Sequence, residues 1–223
     1  WPAIQEGLIQ TQGNDLFRIK EMELETVLEI TKKSKLDAKN GFTHERLHLA
    51  AYQMNAPSTL PGIHFRIAKK MRKEFSQADG DENLNLLLTH LNLASELLAN
   101  EDDKLDFVEL NLKAGIKAKN ATAYSLATQY LKKAIEILPE NFWISQYPLC
   151  LQLYNVAAVV SFLNHEYNQV DVYTQVVLSK AQSLMDKVSA YDLQILKFIA
   201  SDQILNATQL GLSVLKQLGV DFP

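Results

Sequence analysis

A chain of 223 residues, 47% hydrophobic and 22% charged with a formal net charge of -4, holds enough apolar material for one sizeable core or two small ones, which excludes disordered and collagen-like classes. Its 8 Gly and 6 Pro are too few for a sandwich or barrel of many short strands, and its single cysteine, Cys150, excludes an internal disulfide and any two-thiol metal or redox site. No uncharged apolar run reaches 18 residues and Trp1 to Glu6 lacks a signal peptide's basic start, so a cytoplasmic chain is expected; with no initiator Met, it is read as a segment of something larger.

Charge divides the chain. Residues 1 to 75 carry 12 Lys/Arg against 9 Asp/Glu, and the remainder 10 against 17, so a basic first third precedes an acidic rest. The first 56 residues read as mixed structure. Trp1 to Glu6 fits a short helix closed by Gly7, and Leu8 to Thr11 and Leu16 to Ile19 fit strands around Gly13-Asn14-Asp15. Glu21 to Lys32 fits a helix and an extended stretch equally. Asn40-Gly41 is expected to turn the chain into a helix from Thr43 or His44 to Met54, a helix, strand and helix order compatible with a winged helix.

From Leu60 onward the pattern is helical, with helices predicted at about 60–75, 82–98, 101–118, 120–138, 143–163, 166–185, 187–201 and 203–218. On the first of these, Arg66, Lys69, Lys70 and Lys73 share one face, with Ile67, Ala68, Met71 and Phe75 turned to the other side. Asp79-Gly80-Asp81 supplies a turn, Glu101-Asp102-Asp103 and Asp106 an acidic helix start, Asn120 an N-cap, and Pro139 a stop after Leu138.

Small residues reveal an internal repeat. Ala127 and Ala134 lie seven apart with Pro139 five later, and Gly115 lies twelve before Ala127, which matches a tetratricopeptide repeat whose two helices approach closely. Ala158 precedes Val170 by the same twelve, and Ala207 precedes Val214 by seven. Spacings of 43 and 37 between Ala127, Val170 and Ala207 exceed the strict period of 34, so the expectation is a tetratricopeptide-like superhelix with one regular repeat and divergent neighbours.

The stretch Phe42-Thr43-His44-Glu45-Arg46-Leu47-His48-Leu49-Ala50-Ala51-Tyr52 resembles the F-x-H-D-R-x-x-x-A-A-Y signature that ends the ATPase module of bacterial signal-transduction ATPases with numerous domains. Trp1 to Ile9 resembles their W-x-A-L-x-x-G-L-I helix, and Ile63-His64-Phe65-Arg66-Ile67-Ala68 their H-x-x-I-G-R helix. Glu109 to Tyr124 and Leu218 to Pro223 are similar to the helical-repeat region of the same proteins. The resemblance implies a mainly α chain: a winged-helix-like α+β end of an ATPase module over 1–56, then a tetratricopeptide-like superhelix over 57–223. It further implies a non-catalytic regulatory and protein-interaction segment of a large serine/threonine or histidine kinase, in which His44 inherits candidacy as a nucleotide sensor. Glu45 replaces the family's Asp beside it, so a purely structural His44 stays open. No G-x-x-x-x-G-K-[ST] loop occurs, and no cofactor is expected.

The remaining chemistry is thin. His44 and His48 match H-E-x-x-H literally, but a zinc site needs a third ligand and the resemblance accounts for these residues without metal, so none is expected. Cys150 sits in an apolar run with no His or Asn near in sequence, the setting of a structural thiol. Phe142, Trp143, Tyr147, Tyr154, Phe162, Tyr167 and Tyr173 crowd the repeat region as core, and Tyr147, Tyr154, Tyr167 and Tyr173 are the candidate anchors for a protein partner or a neighbouring domain of the same chain. No membrane or small-molecule substrate is expected. The alternative treats the winged helix and the basic helix 60–75 as a nucleic-acid reader of a transcriptional regulator; a free-standing hydrolase would need His44 and His48 to hold a metal.

Overall fold

The computed structural model of the chain describes residues 9–12, 39–42, 52–74 and 81–220. The chain divides into two compact units, Trp1–Leu60 and Pro61–Pro223. In the first, β1 (Ile9–Gln12) pairs antiparallel with β2 (Lys39–Phe42), Ile9 standing opposite Phe42 and Gln12 opposite Lys39. Asn40 and Gly41, expected as a turn, therefore lie inside a strand. A two-residue Asn-Gly turn needs flanking strands that pair with each other, whereas here the ladder partner lies nearly thirty residues upstream. The expected strand at Leu16 to Ile19 and residues 43–51 of the helix expected to run to Met54, His44 among them, lie outside the described residues, while Tyr52 and Gln53 at its end are helical.

The second unit is helical: α1 (Leu60–Glu74), α2 (Asp81–Leu93), α3 (Glu101–Asn120), α4 (Tyr124–Ile137), α5 (Phe142–Ser145), α6 (Tyr147–Leu163), α7 (Tyr167–Lys180), α8 (Leu184–Ala200) and α9 (Ile204–Gln217). Several boundaries differ from expectation for local reasons. Helix α2 gives way to a 3-10 turn at Ser95–Leu97 instead of running to residue 98. The long helix expected from 143 breaks at Gln146, because Pro148 sits in the first turn of α6, where its missing N–H and fixed φ suit a helix start rather than an interior. Asn120 ends α3 and caps nothing; the next helix starts at Tyr124 behind Ala123, with no side-chain cap. The acidic start of α3 is present, with Asn100 as N-cap accepting from the Asp103 N–H and Glu101, Asp102 and Asp103 in the first turn, where the helix dipole favours them. On α1, Ile67 is exposed rather than turned inward, and the buried line is His64 and Ala68.

Three helix pairs, α3/α4, α6/α7 and α8/α9, are each joined by three residues and packed along their lengths, which makes each pair an antiparallel hairpin. Their turns are the same turn. Thr122, His165 and Asp202 hold φ of 59°, 60° and 58°, the left-handed region that a side chain seldom enters. The next residue's N–H reaches back to the carbonyl five earlier in each case: Ala123 to Ala118 at 2.9 Å, Glu166 to Ser161 at 2.8 Å and Gln203 to Phe198 at 2.8 Å. These Schellman bonds satisfy carbonyls that the helix end would otherwise orphan, and they hold the strained residue in place. Gly219 (φ 82°) closes α9 in the same way, with Val220 N–H on the Leu215 carbonyl at 2.9 Å.

Register follows from the turns. Five residues after each left-handed position comes a small or β-branched residue at the hairpin interface: Ala127, Val170 and Ala207, all buried. Seven before and nine after stand Gly115 with Leu131, Ala158 with Thr174, and Ile195 with Gly211. In the first hairpin a Cβ on Gly115 would lie 2.7 Å from Cγ of Leu131, so only glycine admits that leucine. In the third the glycine has changed helices: a Cβ on Gly211 would lie 3.8 Å from Cδ1 of Ile195, an ordinary contact. Around these interfaces the core is built from Phe107, Val108, Leu131, Leu153, Val160 and Val170, each at most 1% exposed. Beyond the hairpins, α4 packs on α6 and α7 on α8, while α6 touches α3 and α8, so each hairpin leans on its neighbours in sequence.

Candidate functional site

The four candidate tyrosines are distributed by the α6/α7 hairpin, and they do not play one role. Tyr147 opens α6, and its hydroxyl accepts the Gln182 N–H at 2.9 Å and donates to Asp186 Oδ2 at 2.8 Å. Asp186 is the third helical residue of α8 and forms a capping box with Ser183, so the phenol ties the start of one hairpin to the link between α7 and α8. Burial, with the Asp186 carboxylate adding to it against the Gln182 bond, raises the Tyr147 pKa. The bonds from Ser183 and then from Tyr147 lower that of Asp186.

From there a chain of rings runs inward. Trp143 meets Tyr147 at 6.1 Å and Tyr154 at 5.4 Å between centroids, and Tyr154 meets Tyr173 edge-on at 6.0 Å. Tyr154 is half-buried and Tyr173 buried, and burial raises both phenol pKa values. Tyr167 stands apart from this chain, against Phe162 at 5.8 Å, with its hydroxyl 3.3 Å from Nδ1 of His165.

Tyr167 and Tyr173 nevertheless share a surface. Both line a groove of about 630 Å³ between α4 and the start of α7, together with Thr128, Lys132, His165 and Glu166. The Thr128 hydroxyl is buried there and makes no hydrogen bond among the described residues, while Glu166 accepts from the Asn164 side chain at 2.5 Å. The groove thus offers two phenol rings as apolar and amphipathic contacts, a lysine and an imidazole as donors, and one carboxylate already engaged. Lys132 and His165 were not among the sequence candidates. The spacing of 43 from Thr122 to His165 marks the turn, but only the fold brings that turn beside Lys132.

Other candidate chemistry is quiet. Cys150 is fully buried and its thiol is pushed up to about 11, chiefly by burial, which leaves no reactive thiolate near neutral pH. Among the described residues no group of three His, Cys, Asp or Glu side chains could hold a metal ion, and His44 and His48 lie outside them. No helix among the described residues is long and apolar enough to cross a membrane.

No family model and no solved structure matches the chain. The chain is 21% identical over 165 residues to hybrid signal transduction histidine kinase G of Dictyostelium discoideum. The match covers 63% of this chain and 5% of that protein, so the chain spans a small fraction of its relative's length.

Proposed function

We propose that this chain is a non-catalytic regulatory and protein-interaction segment of a large multidomain signalling protein, in which a tetratricopeptide-like superhelix of three hairpins receives a partner segment or a neighbouring domain. The observation that carries the reading is the recurrence of one Schellman turn with one buried interface residue at the same offset in α3/α4, α6/α7 and α8/α9. A stack built in this way presents side chains from successive hairpins along continuous surfaces, and the groove holding Tyr167 and Tyr173 crosses from one hairpin to the next. The similarity to a signalling histidine kinase agrees in kind with the resemblance carried by residues 42–52. In that reading residues 1–56 form the winged-helix-like end of an ATPase module and the flanking protein carries the kinase.

The groove fits a peptide or loop that places an aromatic or aliphatic side chain between the phenols and hydrogen-bond acceptors toward Lys132 and His165. A photo-crosslinking residue at Gln169, in the wall of the groove, should capture a discrete protein or a segment of the same chain in the complete signalling protein. The same residue at exposed Ser179, outside the groove, should not. Tyr167→Ala and Lys132→Ala should shift phosphotransfer output several-fold with little change in melting temperature. No capture at Gln169, together with unaltered output in both variants, overturns the proposal; salt-sensitive DNA binding by the isolated chain would favour the nucleic-acid alternative.

A further inference from the structure

Helix α1 is moored to its neighbours at two points rather than packed flat. His64 and His90 bring their Nδ1 atoms to 2.8 Å, joining α1 to α2, and two turns later Arg72 pairs with Asp106 of α3. Between the moorings lies a pocket of about 350 Å³ walled by Phe65, Ala68, Leu91, Leu98 and Phe107. Ala68 and Phe107 are 1% exposed and form its floor, and the volume is that of a small-ligand site.

Three charged side chains complete the lining: Lys69, Arg72 and Asp103. Arg72 is neutralised by Asp106. Asp103 is held in place by Asn100, which donates to its Oδ2 at 2.8 Å and accepts its N–H at 2.7 Å. No ion pair among the described residues joins Lys69 to Asp103 or to any other acid, so a cation and an anion line one pocket without pairing. A fatty carboxylate entering here would meet the charge of Asp103, and an alkyl amine would meet that of Lys69. A ligand carrying both charges at one end of an apolar body meets neither penalty.

We propose that the pocket between α1, α2 and α3 binds an apolar α-amino acid, with its side chain against Phe65, Leu91 and Phe107, its carboxylate at Lys69 and its ammonium at Asp103. The inference stands apart from the groove and does not rest on it. Lys69 and Asp103 are both taken up in holding the amino acid's own charged groups, so it enters as a ligand rather than a substrate.

The test is calorimetric titration of the 223-residue chain with L-leucine, L-phenylalanine, octanoate and octylamine. At least one of the two amino acids should bind, roughly tenfold or more tightly than either singly charged amphiphile. Lys69→Met and Asp103→Asn should each weaken that binding about tenfold, and Ala68→Leu, which fills the floor, should abolish it. Should Asp103→Asn or Ala68→Leu unfold, Lys69→Met alters only an exposed side chain and decides the matter alone. Absence of amino-acid binding at millimolar concentration, octanoate or octylamine binding equally well, or full affinity in Lys69→Met overturns the proposal.

Discussion

The first and third hairpins solve the same packing problem with the glycine on opposite helices. In α3/α4 it is Gly115 on the leading helix that admits Leu131, whereas in α8/α9 Ile195 leads and Gly211 follows; the middle hairpin, with Ala158 and Thr174, uses two residues of intermediate size. The position in the hairpin is shared, but the tightness is not: no Cβ fits at buried Gly115, whereas one fits beside half-buried Ile195 at Gly211. A close-packed interior constrains the first pair, and the partly exposed third pair is left with room to spare.

The comparison breaks most sharply at Gly115. Gly115→Leu should destabilise by about 3 kcal/mol, the upper end for overpacking, because Leu131 is 1% exposed and has nowhere to withdraw. Gly115→Ala should still cost about 1 to 2 kcal/mol, while Gly211→Ala should be neutral or gain up to about 1 kcal/mol from helix propensity, so one substitution carries opposite signs in the two hairpins. Gly115→Ile combined with Leu131→Gly, which writes the third hairpin's solution into the first, should be less destabilised than Gly115→Ile alone. Urea midpoints measure all of these, and equal losses at 115 and 211 would remove the argument.

A smaller effect is expected at Asn111. It lies fully buried in α3, donating Nδ2–H to the Phe107 carbonyl at 3.0 Å, and its Oδ1 has no hydrogen-bond partner among the described residues. Eleven residues before the turn, the other hairpins carry Tyr154 and Tyr191 instead. Asn111→Leu keeps the approximate shape and removes the orphaned oxygen, so stability should rise by about 1 kcal/mol in the same melts; a loss would mean that the amide is better satisfied than this geometry allows.

How much of this was legible depended on where the glycine stood. Gly115, Ala127, Ala134 and Pro139 disclosed the first hairpin because the small residue occupied the leading helix, as a tetratricopeptide pattern requires. The third hairpin read as degenerate because its glycine had moved to position 211, which no fixed spacing anticipates. Of the candidate site, the tyrosines were visible as residue types. That Tyr147 is a tether while Tyr167 lines a groove was not, since it depends on Gln182 and Asp186, more than thirty residues away. His64 and His90 were equally hidden, because nothing in residues 26 apart announces a contact of 2.8 Å.

The smallest expected effect is a pH dependence at this histidine pair, which lies outside the three hairpins. Burial, and after it the charge of His64, lowers the His90 pKa. The unfolded chain then takes up the proton first as pH falls, so the stability from this group is full above the ordinary imidazole range near about 6.5 and is lost as pH drops from there through the folded value. Urea midpoints should decline gently as pH falls from about 7 toward about 5, and His90→Asn should flatten that slope. An unchanged slope in His90→Asn would remove the histidine pair as its source.

Because each hairpin leans on its sequence neighbours, the free energy of local opening varies along the chain. Helix α9 buries only Ala207 and Val214, and leaves Ile204 and Leu205 54% and 70% exposed, whereas α3, α4, α6 and α7 share the buried cluster around Phe107, Leu131 and Val170. Helix α9 is therefore the element expected to open at the lowest cost, baring Ala207, Val214 and the face of α8 that it covers, while α8 stays tied to α7 through Gln194 with Thr174 and Lys197 with Asp171, and the groove between α4 and α7 keeps its walls.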